Sequence, residues 1–152
     1  MNPQAAQKYL KTRVMTATPE QLQMMLYDGA IRFCEQAGPA IAKKDWETTY
    51  NTLSKAQRII TELITSLRHE IQPELCKKLA GLYTYIHRKL VEASTKHNSE
   101  SLEEALRLLR YQRETWTMLM DQMGKQKAAT IARRLDIPAP SARMEASISV
   151  QG

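Results

Sequence analysis

Three histidines, two cysteines and scattered carboxylates are the residues of this 152-residue chain that could do chemistry, and their spacing assembles none of them into a working set. His69, His87 and His97 fall on a connection, a helix face and a helix end, without the Glu/His pairing a di-metal bundle requires. His69/Glu70 begins like a zinc-protease motif, but the second histidine is missing and Pro73 follows too soon for a helix. Cys34 and Cys76 have neither CxxC nor Cys/His spacing and read as reduced packing thiols. There is no phosphate-cradling glycine loop and no serine elbow. Asp28 has Arg32 one helical turn away, so an ion pair accounts for it as well as an acid catalyst would. The expectation is a protein that is not an enzyme, with no catalytic residue, no metal and no cofactor.

The surrounding elements are helical. Few glycines, a single Phe and abundant Leu, Ala, Lys, Glu, Gln and Met make a helix-forming composition with almost no strand signal. The stretch from Thr18 to Phe33, TPEQLQMMLYDGAIRF, opens with a capping-box pair, Thr18 and Gln21, and carries Pro19 at the first helical position. At about 100° per residue, Leu22, Met25, Leu26, Gly29 and Phe33 share one face and Met24, Tyr27 and Ile31 lie roughly opposite. The first face is expected to be core. The second requires an apolar cover, supplied either by another helix of the domain or by a partner.

Gly38/Pro39 predicts a kink or break in this first helix. Asp45 caps a second helix from Trp46 to about Leu67, and Pro73 opens a third that ends near Lys96 to Ser99. Asn98 or Ser99 caps a fourth, for which Gly124 is the expected stop. Short connections make consecutive helices antiparallel neighbours. The fold class is therefore all-α, an antiparallel up-down four-helix bundle with an N-terminal capping segment and a disordered C-terminal tail. The domain boundaries expected are 1–17 for the segment that packs on the bundle, 18–124 for the bundle and 125–152 for the tail.

The net charge is +6, of which +3 sits in Lys125 to Gly152, so the rest of the chain is mildly basic without a recognition stripe. No nucleic-acid motif is present. No run of 18 apolar residues occurs, and MNPQAAQKYLKTR lacks the apolar region of a signal peptide. A cytoplasmic protein without membrane insertion is expected. What remains is an excess of apolar residues off the helical stripes, among them Ile59, Tyr85, Leu108, Tyr111 and Met118. A surface rich in Met and Tyr suits an amphipathic or disordered partner.

Tyr9, Val14, TATPEQLQMMLYDGAI (Thr16 to Ile31), KAQRIITELITSL (Lys55 to Leu67), LYTYIHRKLVEA (Leu82 to Ala93) and the late Trp116 resemble, in order, the blocks of the flagellin export chaperone family, FliS. The resemblance implies a small cytoplasmic helical-bundle chaperone that binds the disordered C-terminal region of flagellin, prevents premature polymerisation and assists presentation to the flagellar type III export gate. It also implies that the segment bearing Tyr9 covers part of the client surface and yields to flagellin. Together the two readings nominate Tyr9, Leu10, Val14, Met24, Tyr27, Ile31, Ile59 and Tyr85 as partner-binding residues. A helical adaptor or regulator that binds another amphipathic helix is the alternative.

Overall fold

The computed structural model describes residues 2–135. Among them the secondary structure is all-helical: α1 (Pro3–Thr16), α2 (Pro19–Ala42), α3 (Trp46–Thr65), α4 (Pro73–Thr95) and α5 (Ser99–Arg134). The chain divides into two compact units, Met1–Glu114 and Thr115–Gly152.

Four of the five helices start where a side chain serves the free backbone donors of the first turn, and α4 starts instead at Pro73, which has no backbone donor to satisfy. The Asn2 side chain accepts from the backbone N–H of Gln4 at the head of α1. At α2, Thr18 accepts from the backbone of Gln21 at 3.1 Å while the Gln21 side chain accepts from the backbone of Thr18 at 3.0 Å. Asp45 accepts from Thr48, a bond that also holds its carboxyl below the usual carboxylate range. Asn98 accepts from Glu100 and Ser101 to open α5. The corners before α3 and α5 each place one residue in the left-handed region, Lys44 at φ 58° and His97 at φ 54°.

In the first unit α2 packs along α3 and α3 along α4. The first part of α5 is tied to α2 by Arg110 to Glu35 at 3.3 Å and by Arg113 to Asp28. It is tied to α4 by the Tyr85 hydroxyl, which donates to Glu104 at 2.6 Å, and by Ser101, which donates to Glu92 at 3.0 Å. Asp28 therefore pairs across helices with Arg113, where the sequence reading offered Arg32. Leu53, Ala56, Ile60 and Leu63 of α3, Tyr83, Ile86 and Leu90 of α4, and Ala105 and Leu109 of α5 are sealed in the core.

Three local expectations are corrected. Residues 3–16, where the apolar pattern was too short to predict a helix, form α1, and none of its residues is buried. Helix α2 runs through Gly38 and Pro39 to Ala42, so the chain does not break there. The proline leaves only the Glu35 carbonyl without its donor, and exposed Glu35 can bond to water. Buried Ala37, Ala40 and Ile41 anchor the chain on both sides of the interruption. Helix α5 passes through Gly124 to Arg134. A mid-helix glycine costs about 1 kcal/mol against alanine, and the Asp121–Lys125 ion pair at 3.4 Å spans it. The rest of the expected disordered tail, residues 136–152, lies outside the described residues.

In urea melts, Leu53→Ala should lower stability by about 2 to 5 kcal/mol because Leu53 is fully enclosed. Thr18→Ala, which removes one cap, should cost about 1 kcal/mol.

Candidate partner-binding surface

The rotation of α2 about its axis decides which of its apolar side chains a partner can reach. Tyr27, Ala30, Ile31, Cys34, Ala37, Ala40 and Ile41 are buried. Tyr27 is 2% exposed and Ile31 9%, so the face expected to await a cover is turned into the core. Met24, beside them, is half-buried. The opposite stripe, expected to be core, is the more open one: Leu22 is 38% exposed, and Met25, Leu26 and Phe33 are half-buried.

Two physical reasons set this rotation. Ala30, Cys34 and Ala37 are small, and a seam of small side chains lets neighbouring helices approach closely, so area is buried on that side despite its modest hydropathy. The phenol of Tyr27 is also satisfied inside. Its hydroxyl lies 2.5 Å from that of Tyr83 on α4, and the Gln23 amide donates to both, at 3.1 and 3.4 Å. Gln112 of α5 also hydrogen-bonds to Tyr83. Burial, and then the adjacent Tyr27 phenol, push the Tyr83 hydroxyl well above the ordinary tyrosine value, so it stays protonated. Of this four-residue network the sequence reading nominated only Tyr27 as a site residue, and it placed Tyr83 on the core stripe of its third helix, where the structure buries it. The Gln23/Tyr27 spacing of one helical turn was the available signal.

The remaining nominated residues lie in separate places. Ile59 of α3 is half-buried, with its Cδ1 3.1 Å from where a Cβ on Gly29 would stand. Gly29 thus lets α3 come close to α2. Beside this contact, Arg32 and Lys55 carry their cations over the Phe33 ring at 5.3 and 5.5 Å. The result is a partly open apolar flank along α2 and α3, formed by Leu22, Leu26, Phe33 and Ile59 and edged by cations. Tyr85 is half-buried on α4, held by Glu104 and flanked by Arg88 and Lys89. Tyr9, Leu10 and Val14 are 71%, 51% and 41% exposed on α1.

Nothing in this arrangement resembles a reaction centre. Among the described residues no group of three His, Cys, Asp or Glu side chains could hold a metal ion. His97 stacks on Trp46 with ring centroids 3.7 Å apart, while His87 lies on another face of the first unit. Burial pushes the Cys34 thiol up to about 12, leaving it an inert packing group. No helix among the described residues is long and apolar enough to cross a membrane.

The family model described as "Flagellar protein FliS" matches residues 1–123. The chain belongs to the FliS family. Among its relatives, a flagellar secretion chaperone FliS of Bacillus subtilis is 35% identical over 126 residues, covering 83% of this chain and 92% of the relative. The FliS chaperone of Salmonella typhimurium is 32% identical over 124 residues, covering 81% and 92%. That of Escherichia coli is 32% identical over 112 residues, covering 73% and 82%. A crystal structure titled as a flagellar chaperone from bacteria shares the fold at a TM-score of 0.65 and 20% identity, over 78% of this chain and 97% of that one. As a FliS-family member, the protein is a flagellar export chaperone and not an enzyme. The partly open flank of α2 lies inside the matched residues, whereas Lys125 to Arg134 of α5 lie beyond them.

Tyr83→Phe should cost about 1 kcal/mol by removing one buried hydroxyl bond. Its pH dependence is diagnostic. The raised Tyr83 value means that both states hold the proton below about pH 10, while above it only the unfolded chain releases one, so stability falls as pH rises. Thermal midpoints above pH 10 should therefore drop more steeply for the wild type than for Tyr83→Phe.

Proposed function

We propose that this FliS-family chaperone binds the disordered C-terminal region of flagellin in the cytoplasm, keeps it from polymerising early and delivers it to the flagellar export gate. In this reading α2 to α5 form an up-down-up-down four-helix bundle. Direct packing of α2 on α3 and of α3 on α4, together with the ties of α5 to α2 and α4, supports it. The observation that carries the functional reading is the outward rotation of Leu22, Leu26 and Phe33 beside Ile59, a preformed apolar strip along two helices. An amphipathic segment laid on such a strip buries its polymerisation stripe without committing it to a filament.

The energetics suit a carrier. A client that folds on binding gives up about 2 to 5 kcal/mol of the gross interaction energy to ordering, which leaves a broad interface that still releases. Tyr9, Leu10 and Val14 are exposed apolar side chains on α1. As a tethered segment, 1–17 packs over the flank of the bundle when no client is present and exchanges with the open arrangement, in which α1 buries nothing. A cover of three apolar side chains is weak enough to yield to a longer client. Tyr27 and Ile31 act from within, by holding the rotation of α2, and Tyr85 by joining α4 to α5.

Calorimetric titration with flagellin should give a one-to-one complex that is lost when only the last few tens of flagellin residues are removed. Phe33→Asp should fold with a near-native melt and bind at least about ten-fold more weakly, since it places a charge on the flank. Ile31→Asp should instead fail to fold, because that position is buried. Binding indifferent to the C-terminal truncation would contradict the flagellin reading and favour an adaptor for another amphipathic helix.

A further inference from the structure

On the flank of α3 away from Ile59, a groove of about 380 Å³ lined by residues with polar heads opens between α3 and α4. Ser54, Gln57, Arg58 and Thr61 line it at spacings of three and four, the period that puts side chains on one face of a helix, and His87 of α4 joins them. Surface seams between helices are commonly closed by long charged side chains. Here Ser54 and Thr61 are short and leave the seam open.

The lining is rich in uncommitted donors. Among the described residues the Arg58 guanidinium has no ion pair, although Glu62 stands one helical turn away on the same helix. By contrast, Arg110 and Arg113 reach across to carboxylates on α2. The Thr61 hydroxyl donates to the Gln57 carbonyl at 3.1 Å, which leaves its oxygen free to accept. No carboxylate lines the groove.

We propose that this groove binds an extended peptide segment bearing one acidic side chain. The Arg58 fork matches a carboxylate bidentately, and His87 supplies a further donor from the facing helix. A bare oxyanion would use donors alone. The Gln57 amide and the Ser54 hydroxyl offer acceptors as well as donors, and the Thr61 oxygen a further acceptor, which is what a peptide backbone needs. Ser54 to Thr61 spans about 10 Å of helix axis, the length of about three extended residues. The site lies on the side of α3 away from Ile59, so it stands whether or not flagellin occupies the apolar flank.

The test is a titration of the nitrogen-labelled full chain, followed by amide shifts, with three probes: the blocked pentapeptide Ala-Ala-Glu-Ala-Ala, its Gln analogue, and inorganic phosphate. The Glu peptide should give saturable shifts confined to residues 54–61 and the neighbourhood of His87. The Gln peptide should bind about ten-fold more weakly, as should the Glu peptide with Arg58→Ala. Arg58 is exposed, so that variant should keep the wild-type melting point. Should it not, the Glu/Gln comparison on the wild type decides alone. Equal binding of the two peptides, phosphate binding as tightly as the Glu peptide, or unsaturable shifts spread over Lys43, Lys44 and Lys96 would each overturn the proposal.

Discussion

Two phenol hydroxyls meeting at 2.5 Å, those of Tyr27 and Tyr83, hold the rotation of α2 on which the exposed surface depends. A buried hydroxyl without a partner is costly, so once Tyr27 points inward its oxygen must find Tyr83 and Gln23. A turn of α2 about its own axis would break those bonds and pull Ala30, Cys34 and Ala37 out of the seam they fill. With Tyr27 inside, Leu22, Leu26 and Phe33 are carried to the side where α3 covers them only in part. Core polarity and surface hydrophobicity are thus two consequences of one helix rotation.

In the proposed function, the same constraint links packing to client capture. A surface that collapsed when uncovered would have to be rebuilt at every binding event, whereas this flank is backed by rigid neighbours. Gly29 lets α3 close in until Ile59 lies against the α2 backbone, and the cations of Arg32 and Lys55 over Phe33 keep the strip bordered by charge. Hydration of those charges limits self-association and leaves the apolar centre open, as the proposed client site requires. On the other flank of α3, the Arg58 groove gives the same helix a second, polar character.

What the sequence disclosed follows the range of the interactions concerned. Caps are local, so Thr18 with Gln21, Asp45 and Asn98 were readable from a few neighbouring residues, and with them the starts of α2, α3 and α5, while Pro73 marked the start of α4. Family membership was readable because whole blocks such as ATPEQL and MLYDGAI persist in order. The rotation of α2 was not readable from hydropathy. Its core side mixes Ile31 and Ile41 with the small Ala30, Cys34, Ala37 and Ala40 and a tyrosine, its half-open side carries Leu22, Leu26 and Phe33, and the deciding partner, Tyr83, lies 56 residues away. Pro39 and Gly124 misled for a related reason. Each is a local breaker, but buried neighbours carry α2 past Pro39, and the ion pair that spans Gly124 helps carry α5 past it.

The most direct test of the α2 rotation and its consequence is a methyl spectrum of the chain titrated with the C-terminal segment of flagellin. Leu22, Leu26 and Ile59 methyls should shift in a saturable way, while Ile31 and Ile60, enclosed in the core, should hold their positions. Shifts centred on Ile31 with Leu22 and Ile59 unmoved would contradict the account, since they would place the client on the face that Tyr27 and Tyr83 seal inside.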